Sequence, residues 1–297
     1  MSRTRLQGLE IAGVQIGIEV PSSHRWTWPD EARARFACLP RSPDVHVGVR
    51  VGTVDVGPVA GERYALGPWT FEVGRRGADW LLGLSRAGRR EQLAIFDAEF
   101  GAGEVVVREP LLDAPAAYPL RGALDEWIVL HRLIARGGLC LHATLDRSGD
   151  GAVVRLVGPD AGGWTQGAAS TRTLLGRDTV WISERGGRMR AHRTPWGGPW
   201  TVGSMHEVPV GSFELCERSL SAYHEVVDPE EASELLVAHA VVPLGDEALF
   251  ERVLKSARRV GSSGICRRVG KSTALASSRS SSGAAWRSGV APPRGLL

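Results

Sequence analysis

The stretch Gly158–Thr165, GPDAGGWT, decides how the fold is read. Gly158 and Gly163 bracket four residues, and the hydroxyl residue Thr165 follows two places on, which is the spacing of a phosphate-binding loop. In such a loop backbone N–H groups cradle phosphates, a lysine reaches the terminal ones, and the Ser/Thr hydroxyl holds magnesium. Here Trp164 occupies the lysine position. The scaffold of the loop is spelled out while its main cation is missing.

The context of the loop is strand before and helix after. Residues 138–145 form an apolar run, Ser148-Gly149-Asp150-Gly151 marks a turn, and Ala152–Val157 reads as a second strand entering the loop. Residues 166–173 fall where the following helix is expected, although Gly167 and the β-branched Thr171 and Thr173 weaken it and its dipole. Further on, Thr179–Ser183 and Arg188–His192 read as strands joined at Gly186-Gly187, before the TPWGGPW segment from Thr194 to Trp200. Apolar spacing predicts a helix over Leu120–Ile134 that stops at Gly137-Gly138. Two more helices are expected over Asp228–His239, opened by Asp228-Pro229-Glu230-Glu231, and over Glu247–Val260.

Upstream, Leu6–Val107 is rich in short β-branched and alternating runs, and Pro110–Pro119 reads as a linker. Trp26, Trp28, Trp69 and Trp80 lie there and are expected to pack as large apolar rings. The expected organisation is therefore α/β, α+β overall: a β-rich region over 1–115, then a phosphate-loop region over 120–260. Residues 261–297 carry five arginines, one lysine and no acidic residue. Serine and glycine dominate this tail, which is expected to be disordered.

Charge and composition exclude some functions. The net charge is +3, but all 33 acidic residues precede Gly261, so the body without its basic tail is mildly acidic. That gives no strong nucleic-acid signal. No apolar run is long enough to span a bilayer and the N-terminus lacks a signal-peptide core, so a cytoplasmic, non-membrane protein is expected. Cys38, Cys140, Cys216 and Cys266 show no paired spacing and read as reduced thiols. Gly270-Lys271-Ser272-Thr273 resembles the end of a phosphate loop, but its upstream glycine, Gly264, is one residue too far away.

Leu141-His142-Ala143, Gly158-Pro159, Gly163, Thr165, Asp178 and Thr194-Pro195-Trp196 occur in that order. This order resembles the HPr kinase-like proteins, whose phosphate-loop domain is related to that of phosphoenolpyruvate carboxykinase. The resemblance covers roughly residues 120–260. It implies an HPr kinase C-terminal-like domain that uses ATP and Mg2+ to phosphorylate a hydroxyl on a protein or peptide. It also implies nucleotide contacts from Gly158, Pro159, Gly162, Gly163, position 164, Thr165 and position 177. His142 and Asp178 would be catalytic, and Thr165 with Asp178 would hold the metal.

The departures fall at these chemical positions. Trp164 removes a charge-assisted hydrogen bond, Asp160 sets a carboxylate beside the phosphate cradle, and Arg177 replaces the first of two expected aspartates. A degenerate Walker A loop of this kind implies a pseudokinase. Each residue keeps a structural alternative: His142 as a packed strand histidine, Asp178 as a turn cap, Thr165 as a helix cap. Three functions stay open. The first is a divergent HPr kinase-like protein with weak or lost phosphoryl transfer and a retained binding role. The second is an active serine kinase in which Arg177 compensates for Trp164. The third is a structural or assembly module without nucleotide.

Overall fold

The computed structural model describes residues 4–22, 26–54, 59–108, 118–149, 151–157, 174–176, 179–196, 207–219, 221–243 and 246–272. The chain divides into two compact units, Met1–Arg136 and Gly137–Leu297. The expected boundary near residues 115–120 is displaced because the helix after it belongs to the first unit.

The first unit is one nine-stranded sheet in the order β3-β1-β2-β4-β9-β8-β7-β6-β5. Its strands are β1 (Thr4–Ile11), β2 (Val14–Pro21), β3 (Ala37–Cys38), β4 (Val45–Val51), β5 (Gly61–Leu66), β6 (Trp69–Arg76), β7 (Asp79–Arg86), β8 (Arg89–Phe96) and β9 (Ala102–Val107). Strand β4 lies parallel to β2 and to β9, and the other pairings are antiparallel. Strand period two puts Phe71, Trp80, Leu82 and Leu84 on one face, all buried. The long helix α2 (Leu124–Ala135) follows the short α1 (Glu31–Ala34), and its Trp127 packs against Phe71 at 5.9 Å and Trp80 at 6.4 Å between ring centroids. Its start is fixed by Asp125, fully buried, which accepts from Arg33 Nε at 2.6 Å and from the Tyr118 hydroxyl at 3.2 Å. Trp26 and Trp28 stack around that tyrosine at 5.3 and 5.8 Å, in the packing role expected of them.

The second unit contains β10 (Leu139–Ser148), β11 (Gly151–Val157), β12 (Leu174–Gly176), β13 (Thr179–Arg185), β14 (Arg188–His192), β15 (Glu207–Ser219), β16 (Tyr223–Val226) and β17 (Cys266–Ser272). The order β11-β10-β13-β14-β15 closes on itself through a parallel β11–β15 pairing, giving a five-stranded barrel. Two long strands make the closure possible by changing partners along their length. Strand β10 pairs with β13 over Leu139–His142 and with β11 over Ala143–Ser148. Strand β15 begins on β14 and continues on β11 and β17. The turn expected at Gly186-Gly187 is present, with φ of +60° and +73°, the left-handed pair that a two-residue hairpin needs. The expected helices are α3 (Pro229–Ala238), capped by Asp228 at 2.9 Å from the Glu230 N–H, and α4 (Glu247–Gly261).

Two expectations are corrected. The fold is not α/β with a phosphate-loop core: the described residues are 52% strand and 19% helix, with a large mixed sheet and a closed barrel. Barrel closure rests on β11 pairing with β15, some sixty residues away, and no local pattern encodes that. The second correction concerns the basic tail. Residues Cys266–Ser272 form β17, which runs parallel to β15 and antiparallel to β16. Cys266 and Val269 are buried on opposite faces of this arginine-rich strand, which its composition concealed. Residues 273–297 lie outside the described residues.

Candidate functional site

All the residues expected to bind nucleotide, Gly158, Pro159, Gly162, Gly163, Trp164, Thr165 and Arg177, lie outside the described residues, and so does Asp178, expected to be catalytic and to hold metal. The helix expected over 166–173 lies outside them as well. What the structure describes is the frame around them. Strand β11 ends at Val157, immediately before the loop, and β13 begins at Thr179, immediately after Asp178. In register, Ala143 faces Leu156 and His142 faces Thr179. His142 therefore stands where the strand entering the glycine loop and the strand leaving Asp178 meet. It is exposed on the barrel, and its backbone N–H donates to the His239 carbonyl at 2.7 Å. The alternative of a packed strand histidine does not hold.

Alternation along β10 carries Thr144 and Asp146 on the same face as His142. Thr144 faces Arg155 across to β11, and Arg155 faces Glu214 on β15. The Arg155 guanidinium reaches Asp146 at 2.6 Å through Nη1 and Glu214 at 3.0 Å through Nε. All three side chains are buried. One guanidinium is thus shared by two buried carboxylates. A buried arginine held this way is a structural link between three strands and does not act as a phosphate receptor. Removing it would strand two buried anions.

Sequence reasoning passed over this cluster, although it left a trace. Arg155 is the one charged residue in Ala152–Val157, and Asp146 closes the otherwise uncharged run Leu139–Leu145. A charge on an apolar strand requires a buried partner, and two such charges on neighbouring strands are candidates for each other.

A second constellation lies on β13, β14 and β15. The Ser183 Oγ is 2.7 Å from His192 Nε2, and the Glu207 carboxylate is 4.0 Å from His192 Nδ1. The residue types match a nucleophile, base and orienting acid. The chemistry does not follow. Glu207 is beyond hydrogen-bond distance of the ring and is engaged by Arg190 at 2.9 Å. Burial, with Arg190 and Arg185 nearby, outweighs the pull of Glu207 and lowers His192 to about 4, which makes it a weak base. The pair satisfies a buried imidazole within the barrel wall.

Among the described residues no group of three or more His, Cys, Asp or Glu is placed to hold a metal ion. The metal contacts expected of Thr165 and Asp178 lie outside that set. The four cysteines are free thiols, three of them buried, and burial raises Cys266 to about 11. Among the described residues no helix is long and apolar enough to cross a membrane. No protein-family model matches the chain, and no curated protein matches it.

Proposed function

We propose that the chain acts by binding a partner at the His142 end of the second unit and not by transferring a phosphoryl group. The observation that carries this is the commitment of Arg155. It lies two residues before the end of the strand leading to Gly158, yet its guanidinium is held by Asp146 and Glu214. The same cluster sets two carboxylates, Asp146 and Glu214, beside the strand that leads towards the loop where a nucleotide would bring its polyphosphate. Asp160 in the loop adds another carboxylate, and Trp164 removes the lysine that would oppose it. Kinship to HPr kinase-like proteins enters this reading only through the order of the motifs, because the α/β frame that the kinship implied is absent.

The expected partner presents cationic or neutral hydrogen-bonding groups, complementary to the local charge and to the exposed His142 ring. Hydrogen exchange with and without ATP and Mg2+ tests the reading. The amides at the ends of β10, β11 and β13 should exchange at unchanged rates. Nucleotide-dependent protection confined to those ends would refute it.

A further inference from the structure

The first unit carries an arginine-lined groove, remote in sequence from the glycine loop. It has a volume of about 650 Å³ and opens where β7 turns into β8 and where β4 and β9 end. That volume lies within the range of small-molecule sites, roughly 300–1,000 Å³. Against two of its lining residues, Glu72 and Arg90, lies the bare backbone of Gly83 in mid-strand β7. A Cβ there would sit 2.9 Å from Glu72 Oε2 and 3.3 Å from Arg90 Nε. The missing side chain thus admits a charged pair onto the face of the sheet, and Arg90 Nη2 meets Glu72 Oε2 there at 2.8 Å.

The charges follow a two-to-one pattern. Buried Glu72 is flanked by Arg90 and by Arg63, whose Nε is 3.2 Å away. Glu91 is flanked by Arg89 at 3.8 Å and Arg108 at 3.9 Å, again through Nε. Arg108 is also anchored by donating to the Arg90 carbonyl at 2.9 Å. Of these groups, the four arginines and Glu72 line the groove. Arg90 and Arg108 are well covered, whereas Arg63 and Arg89 are 61% and 58% exposed at the rim. The inner pair is held in place and the outer pair can close over a ligand. The contacts of Arg63, Arg89 and Arg108 with the glutamates run through Nε, so an incoming oxyanion would take the Nη edge of the forks.

We propose that this groove binds a small molecule bearing two oxyanion groups, phosphate or carboxylate. Among the described residues that line it, four arginines face one carboxylate, which favours a multiply charged anion. The arginine forks suit either planar or tetrahedral oxyanions. The groove is too small for an extended polymer and is built by one unit alone, so its operation does not depend on the partner proposed for the second unit.

The test is calorimetric titration of the full chain with pyrophosphate and, separately, with succinate at low salt. Three proteins are compared: wild type, the rim variant Arg63→Ala/Arg89→Ala, and the control Arg185→Ala/Arg188→Ala, which removes two exposed arginines from the β13–β14 hairpin. Wild type and control should bind at least one of the two dianions, with affinity falling as salt rises. The rim variant should bind that dianion about tenfold or more weakly, since it loses two charge-assisted contacts. Absence of binding by wild type to both dianions, or equal loss in the control, would overturn the assignment. Tighter binding of duplex DNA than of either dianion, abolished by the rim variant, would overturn it too by making the groove part of a nucleic-acid surface.

Discussion

His131 offers a quantitative test of how the first unit is packed. Its imidazole is 2% exposed on α2, between the rings of Phe100 at 4.2 Å, Trp80 at 5.0 Å and Trp127 at 5.5 Å. Among the described residues its Nε2 has no hydrogen-bond partner. Burial, reinforced by the Arg75 charge, lowers it from 6.5 to about 3. Arg75 lies over the Trp80 ring at 3.4 Å, so a proton on His131 would meet both an apolar cage and a like charge. The unfolded chain takes up this proton below its ordinary value, while the folded chain does so only near the lowered one. The folded state then binds fewer protons, and stability is lost as pH falls from about 6.5 towards about 3.

At about pH 5 the loss from this one group is about 2 kcal/mol, at roughly 1.4 kcal/mol per pH unit. His131→Leu fills a similar volume with no group to titrate. Relative to the wild type, the variant should therefore gain about 2 kcal/mol between about pH 8 and about pH 5. Hydrogen exchange of the α2 amides reads this unit separately from the second one, and the difference between the proteins cancels every other titrating group. Equal losses in both proteins over that range would refute the reasoning. So would a His131 titration near its ordinary value in the folded wild type.

Breaking the buried cluster by Arg155→Leu takes the shared guanidinium from buried Asp146 and Glu214 and should cost about 3–5 kcal/mol in urea unfolding. Replacing all three by apolar residues of similar volume should cost less than that single change, and the reverse order would show that the cluster holds the strands electrostatically. Removing residues 262–297 deletes β17 and exposes the partners of Cys266 and Val269, a loss of about 3 kcal/mol or more. That corresponds to a melting temperature lower by about 6–12 °C. An unchanged melting temperature would mean that β17 adds nothing to the second unit. Trp164→Lys alone should not confer ATP hydrolysis, because Asp160 and the committed Arg155 remain; turnover by that single variant would show that the tryptophan was the sole defect.

Much of the secondary structure was legible in the sequence. Asp228-Pro229-Glu230-Glu231 marks the start of α3, Gly137 with φ of +80° ends the turn after α2, and Gly186-Gly187 sets a hairpin. These signals are local, and local backbone preference is what a sequence shows directly. The architecture was not legible, for two reasons. Strand β11 followed by a glycine loop is the same local text whether the strand sits in an α/β sheet or in a barrel. The pairing of Ala152–Val157 with residues 210–216 that decides between them is long-range. The tail misled in another way: serine, glycine and arginine set its composition, while Cys266 and Val269, one on each face of β17, are buried. At the site, His142 was found by its place in a motif. Arg155, Asp146 and Glu214 were missed because they lie on three strands whose adjacency appears only in the fold.

Calorimetric titration of the wild-type protein with ATP, with and without Mg2+, bears most directly on the central proposal. No binding is expected up to about millimolar nucleotide at the second unit, since a Kd of 1 mM corresponds to only about 4 kcal/mol, Arg155 is held by two carboxylates and the loop sequence has Asp160 but no lysine. The first-unit groove can take up polyphosphate, so the titration is made in the Arg63→Ala/Arg89→Ala background as well. Sub-millimolar binding that requires Mg2+ and persists in that background would contradict a protein that works without phosphoryl transfer and would restore the second unit as a nucleotide site.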